Sequence, residues 1–322
     1  MTPSGQGLAE EVLDPDEGAV VTAFIDFLTA ASRRRHPNGP IRRFNQGRAS
    51  GCVHAEFIVS ADIPEALRVG IFAAPRSYRA FIRFANASSA SDREKDVRGM
   101  SISIDDARGE NLTPGVTAQD FILNSHPVMV SPDTRSFMGF LEANEAGGLR
   151  RILYIASHPK VARIGLAARQ QPSSHLDIPY WSTTPYLFGP GRAVKYQARP
   201  SSGRTSPTPS PLTDTYLADA LRTRLTTGEA SFDFLVQFQV DAVRTPIEDA
   251  TVEWKDTDAP WVPLARIRIP PQQVAPPGTG SCEDVVFNPW HCLADHRPLG
   301  NMNRARRAIY QALAELRRTS HS

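Results

Sequence analysis

The sequence is poor in cysteine. Its three residues, Cys52, Cys282 and Cys292, are odd in number, and no two stand at metal-site spacing. That pattern argues against a disulfide framework and favours a reducing compartment. No apolar run approaches the roughly eighteen residues of a membrane span. The N-terminus, MTPSGQGLAEEVLDPDEG, lacks the basic-then-apolar pattern of a leader. Together these absences lead to the expectation of a cytoplasmic location. Net charge is almost absent, at +2 over 322 residues. Outside Arg33 to Arg35 and the last helical stretch no dense basic run occurs, so nucleic-acid binding has no electrostatic footprint. No repeat of about 20–50 residues is visible, and neither is a phosphate loop, a dinucleotide fingerprint or a zinc spacing.

What remains is an ordinary globular composition, 41% hydrophobic and 22% charged. A polar arm runs to about residue 16. Glu17 to Arg34 has helical periodicity through Val20, Val21, Phe24, Ile25, Phe27 and Leu28, and stops at the breaker His36-Pro37-Asn38-Gly39-Pro40. Strands are expected at Cys52 to Val59, Ala80 to Asn86, Val97 to Ile104 and within Ala118 to Val130. Further strands are expected at Ser231 to Val240, Thr251 to Glu253 and Leu264 to Ile269; the first of these alternates most strictly. Asp133 to Arg169 reads as helical, Gln170 to Pro200 as loop, Ser201 to Pro211 as a surface loop, and Asp214 to Thr227 as a helix. Pro270 to Gly280 is a Pro/Gly-rich connection. Short strands around a helical insertion, closed by a C-terminal helix, make an α+β chain with an antiparallel barrel.

The most informative stretch is the last, FNPWHCLADHRPLGNMNRARRAIYQALAELRR, Phe287 to Arg318. Asn301 to Arg318 reads as one helix, with Met302, Ala305, Ile309, Ala312, Leu313 and Leu316 at helical spacing. Beside that stripe run Arg306, Tyr310, Leu313 and Arg317. Arg306 and Tyr310 are one turn apart, within reach of each other. A phenol, with a usual pKa of about 10, is a poor metal ligand until deprotonated. A guanidinium at its oxygen favours the phenolate, and tyrosinate is a known axial ligand of haem iron.

This stretch resembles the C-terminal signature of small bacterial catalase-like haem proteins: F-N-P-W-H, then H-R-P-L-G-N-x-N-R-A-R-x-x-x-Y. The resemblance covers about residues 42–196 and then 287–318. It implies a closed eight-stranded antiparallel barrel with a helical insertion, an N-terminal arm and helix over residues 1–40, the barrel over 41–280, and a wrapping segment with the ligand helix over 281–322. It also implies haem b as cofactor, Tyr310 as iron ligand with Arg306 favouring its phenolate, and Arg43, Arg83 and Arg317 as propionate partners. Asp96, Arg98 and Gly99 match barrel-bracing positions. A dimer or tetramer is expected by the same likeness; NADPH is not, because the long catalase C-terminal extension has no counterpart.

The departure from the family lies before the first strand. Relatives carry a distal histidine there; this chain has Asn45-Gln46-Gly47-Arg48. Counting back from Gly51-Cys52-Val53 puts Gln46 in the histidine position with Arg43 behind it, and a shift of one puts Asn45 with Arg42. Asn124 or Ser125 stands where the family's distal asparagine lies, Asn124 by residue type and Ser125 by spacing from Pro127. An amide cannot shuttle a proton at neutral pH, and such help is worth about 10²–10⁴-fold. The expectation is a haem-dependent oxidoreductase using hydrogen peroxide or an organic hydroperoxide on a small substrate, with weak dismutation, and with Gln46, Asn124 and Ser125 on the distal side. The alternatives are a true catalase with a repositioned base such as His54 or His126, a haem-binding or sensing protein with little turnover, and a barrel that has lost haem.

Overall fold

The computed structural model describes residues 7–203, 205–276, 282 and 285–320. The first six residues of the polar arm and the end of the Pro/Gly-rich connection, 277–280, lie outside them.

Nine antiparallel strands form one sheet: β1 Arg48–Val59, β2 Ser77–Asn86, β3 Arg98–Ile104, β4 Gln119–Asn124, β5 Tyr180–Trp181, β6 Tyr186–Leu187, β7 Ala193–Pro200, β8 Ala230–Phe238 and β9 Trp261–Ile269. Their order is β5-β4-β3-β2-β1-β9-β8-β7-β6, and β5 also pairs with β7. That extra pairing closes eight strands into a barrel and leaves β6 as an appendix on β7. Closure removes the exposed strand edges that an open sheet would present.

The strands alternate, and the alternation fills the interior. Val53, Ala55, Phe57 and Val59 of β1 point in, with Tyr78, Ala80, Ile82 and Phe84 of β2, Met100, Ile102 and Ile104 of β3, and Phe121 and Leu123 of β4. Phe57, Phe121, Tyr196 and Phe234 pack as an aromatic knot, with Phe121 4.8 Å from Phe234 and 4.9 Å from Tyr196 between ring centroids. The aromatics of residues 180–196 are therefore core: Tyr180, Tyr186 and Tyr196 are all fully buried.

Among the described residues six helices surround the barrel: α1 Glu17–Arg35, α2 Thr134–Ala146, α3 Gly148–Ser157, α4 Pro159–Ala168, α5 Tyr216–Thr227 and α6 Asn301–Ser320. Phe24 and Leu28 of α1 pack against Ala305 and Ile309 of α6, and Phe137, Met138 and Leu141 of α2 pack onto the same cluster. The chain enters α6 through Gly300 at φ +87°, where a Cβ would lie 2.5 Å from the Ile247 carbonyl oxygen. Only glycine satisfies both demands.

Three expectations are corrected. The 170–200 stretch is not a loop; it holds β5, β6 and β7, two of them only two residues long and set between turns. Thr251 to Glu253 is not a strand, because Asp249 Oδ1 accepts from the Thr251 N–H (2.9 Å) and from its hydroxyl, a local turn that competes with pairing. Finally, Cys52 and Cys282 form a disulfide, with Cα atoms 5.6 Å apart. Their separation of 230 residues carries no local signal, and the inference of a reducing compartment from cysteine count loses its basis.

Candidate functional site

The parity that fills the barrel also builds its outer wall. Because Ile82, Met100 and Leu123 point inward, their neighbours Arg83, Gly99 and Asn124 point outward on three adjacent strands. Asn124 is paired directly with Gly99. The wall is covered by the segment before β1. There Gln46 takes a left-handed conformation, φ 55°, costly for a residue with a Cβ. Two bonds hold it: its N–H donates to the Ala87 carbonyl (2.7 Å), and its own carbonyl accepts from Arg83 Nη2 (2.8 Å).

That backbone places the Gln46 side chain on Gly99. A Cβ at Gly99 would stand 2.5 Å from Gln46 Cδ and 2.7 Å from its Oε1, so the missing side chain of Gly99 is the space the amide occupies. Gln46 Nε2 donates to Asn124 Oδ1 at 3.3 Å. Of the residues before β1, Gln46 meets Asn124 while Asn45 is exposed, and Arg43 reaches the Val285 carbonyl while Arg42 is exposed. Between Asn124 and Ser125 the structure also discriminates. Ser125 is buried, its hydroxyl accepts from the Arg98 N–H, and its own N–H donates to the Arg98 carbonyl, both at 2.8 Å. It clips β3 to β4 and does not join Gln46.

The bracing positions divide. Asp96 accepts from Ser88, Ser89 and Val97, and buried Arg98 reaches Asn86 and the carbonyls of Glu94 and Gln170. Gly99 instead accommodates Gln46. Arg83 is no surface residue, at 2% exposure.

On the other side of the candidate site, the wrapping segment crosses β4. Fully buried Asp120 accepts from the Asn288 N–H (2.9 Å) and faces His291 Nδ1 (3.0 Å). Burial raises its pKa, against the lowering effect of His291. In α6, Arg306 does not hydrogen-bond Tyr310. Its Nη1 donates to Thr184 Oγ1 (3.1 Å) and Asn303 Oδ1 (3.0 Å), and its Nη2 lies 3.8 Å from Met129 Sδ. Arg306 and Tyr310 have opposite effects on a third group, the buried phenol of Tyr186. Burial raises its pKa most, with Arg306 opposing and Tyr310 adding. Thr184, Asn303, Tyr186 and Gly99 were not among the residues expected at the site. Only the N-x-N-R run hinted at Asn303, while Gly99 needs strand register to be seen.

The residues present suit a haem better than a bare ion. Among the described residues no group of three or more His, Cys, Asp or Glu could hold a metal, so iron would require a macrocycle to supply most of its ligands. The buried Tyr186 hydroxyl has no hydrogen-bond partner among them, and Tyr310, one turn beyond Arg306 on α6, is half-buried. Around α6 the side chains of Ile25, Phe27, Phe44, Phe137 and Leu313 are apolar and partly buried, packed against Phe24, Leu28, Ala305 and Ile309. The cavity between Pro127, Trp181, Lys195 and Trp254, about 20 Å³, accommodates one water, and no α6 residue lines it.

No histidine is hydrogen-bonded to Gln46 or Asn124 among the described residues. His54 is exposed on β1, its ring 5.2 Å from that of Phe81. His126 stands two residues beyond Asn124, and burial lowers its pKa.

The chain matches no family model, and no curated protein matches its sequence. Solved structures do match. A bacterial catalase is similar with a TM-score of 0.67 at 16% identity, over 99% of this chain and 62% of that one. A fungal catalase is similar with a TM-score of 0.68 at 14% identity, over 97% and 64%. The chain thus spans less than two thirds of either catalase, and at such identity the likeness speaks for architecture: the fold is catalase-like.

Proposed function

We propose that this chain is a haem b oxidoreductase that uses hydrogen peroxide or an organic hydroperoxide on a small substrate and dismutates peroxide weakly. The observation that carries the reading is the Gln46–Asn124 pair, two amides joined on the outer barrel wall with no histidine bonded to either.

Tyr310 would hold the iron, and Arg43, Arg83 and Arg317 would meet the propionates. A haem bound through a phenolate supplies a ferric centre whose electron-rich ligand favours O–O cleavage. The protein's own contribution is positional. Gln46 and Asn124 can donate to and accept from a hydroperoxide but cannot carry its proton from one oxygen to the other at neutral pH. The missing acid–base assistance corresponds to about 10²–10⁴-fold in rate.

Haem titration of the purified chain tests the first half: a Soret band should appear, and Tyr310→Phe should abolish its ferric phenolate features. Oxygen release from hydrogen peroxide should be low, and oxidation of a phenol by an organic hydroperoxide should be faster. Gln46→His should raise oxygen release by about 10²-fold or more. Absence of a Soret band would end the haem assignment, and an unchanged spectrum in Tyr310→Phe would end that of Tyr310 as the iron ligand.

A second reading, a catalase with a relocated base, draws on His126, which burial holds neutral near Asn124. It requires fast oxygen release from the wild type that His126→Ala removes. A haem-binding protein without turnover would give the Soret band and neither oxidation.

A further inference from the structure

The α3–α4 hairpin carries a feature that neither barrel nor haem reading uses. In a water-soluble helix an apolar stripe at i, i+3, i+4 and i+7 faces a core. In α3 that stripe, Leu149, Ile152, Leu153 and Ala156, faces solvent. Leu149 is 70% exposed, Ile152 64% and Leu153 59%, and no residue of α3 is buried. The inward side of α3 is the other one, where Tyr154 packs 6.3 Å from Phe140 and donates to the Ser136 carbonyl at 3.1 Å. In α4 the stripe Val161, Ile164 and Ala168 turns inward, while Leu166 stands out at 79%.

The charge on this hairpin is of one sign. From Gly147 to Arg169 the chain has no Asp or Glu and five cations: Arg150, Arg151, Lys160, Arg163 and Arg169. Lys160 lies 3.7 Å from Asp249, and Arg169 donates to the Lys95 carbonyl. Arg150, Arg151 and Arg163 are exposed and make no ion pair among the described residues. Two of these cations sit in the first turn of α3, where the helix dipole disfavours positive charge. Helix stability therefore does not account for them.

We propose that this hairpin is a docking surface for an anionic lipid bilayer, with Leu149, Ile152, Leu153 and Leu166 entering the interface and Arg150, Arg151 and Arg163 meeting the headgroups. Exposed leucine and isoleucine flanked by unpaired cations, with no acid, is the composition of an interfacial helix. Charge also disfavours the obvious competitor, a second copy. A two-fold contact through this face would set its arginines against themselves. The proposal is independent of haem, since it concerns a surface and not the α6 site.

The test is flotation of the full chain with vesicles of phosphatidylglycerol in phosphatidylcholine, beside pure phosphatidylcholine. The wild type should float with the anionic vesicles only, and less so at high salt. Each arginine near such a surface is worth about fivefold in partitioning, so Arg150→Gln/Arg151→Gln/Arg163→Gln should weaken binding by about 100-fold. Ile152→Glu/Leu153→Glu should abolish it. Neither variant touches a buried residue, and circular dichroism and melting should match the wild type. Failure of the wild type to float, or undiminished flotation of both variants, overturns the proposal. So does a vesicle-independent dimer that Ile152→Glu/Leu153→Glu converts to monomer, which would assign the face to a second copy. Capture by an acidic protein without any vesicle binding would overturn it as well.

Discussion

Gly99→Ala probes the Gln46–Asn124 contact without any cofactor. In an otherwise open strand position this change recovers about 0.5–1 kcal/mol of backbone entropy. Here the new methyl would occupy the place of the Gln46 amide, 2.5 Å from its Cδ. The Gln46 backbone cannot retreat easily, being bonded through both its N–H and its carbonyl. The side chain must therefore swing away from Asn124. The lost amide–amide bond costs about 0.5–1.5 kcal/mol, and an off-rotamer side chain about as much again. Gly99→Ala should then destabilise the wild type by about 0.5–2 kcal/mol after the entropic gain. In a Gln46→Ala background the clash is absent and the same change should stabilise by about 0.5–1 kcal/mol. Urea unfolding of the four proteins gives the coupling directly, expected at about 1–3 kcal/mol. If Gly99→Ala has the same effect in both backgrounds within about 0.5 kcal/mol, Gln46 does not lie on Gly99 and the distal assignment fails.

Three further outcomes are expected. Thiol titration in denaturant should find one free cysteine without reductant, the buried Cys292, and three with it; Cys52→Ser/Cys282→Ser should cost about 2–5 kcal/mol. Three thiols without reductant would exclude the disulfide. Buried His175 is pushed down to about 3 and His296 to about 4, from 6.5. The unfolded chain takes those protons first, so stability is complete above pH 6.5 and falls as pH drops towards those values, by about 1.4 kcal/mol per unit for each group. His296→Gln should flatten that slope by about one proton, measured by unfolding between pH 7 and 5. Arg304 binds Glu11 (2.6 Å), Glu17 (2.8 Å) and Glu248 (3.1 Å), all largely buried, so Arg304→Ala should cost about 3–5 kcal/mol by removing the cation the three carboxylates share, with Arg297 left to Glu11 alone. For Glu11, burial raises the pKa, but the Gly300 N–H with Arg297 and Arg304 outweighs it and holds it below 4.5. Its contribution is thus present above pH 4.5 and lost in acid, and Arg304→Ala should make the chain less sensitive to pH in that range.

These predictions rest on contacts of very different legibility. The barrel strands could be read because burial alternates: Phe57, Ile82, Ile102 and Phe121 each sit between outward neighbours, and that period is local. β5 and β6 could not, because two residues carry no period; they become strands only when Trp181 finds Asn124 and Tyr186 finds Val194. Helix α6 was legible for the same reason as the barrel: a helix repeats every few residues, so the Arg306, Tyr310, Arg317 motif survives in the linear chain. What that motif does not contain is the partner of each group. Arg306 lies within reach of Tyr310 by spacing, yet the fold presents it with Thr184, Asn303 and Met129, and it bonds to those.

The same logic explains why the distal side was half visible. The spacing before Gly51 left Gln46 or Asn45 in the expected histidine position; the conformation of Gln46 is fixed by Ala87 and Arg83, and its room by Gly99. Those three residues lie on two strands and the turn between them, so one slip of register would turn Gly99 inward and place Arg98 or Met100 beneath the amide. A left-handed glutamine held by two backbone bonds is a costly arrangement for a side chain with no task. Its persistence on a wall otherwise tied together by Ser125 and Asp96 is the physical reason to look for function at that amide, and Gly99→Ala is the least intrusive way to move it.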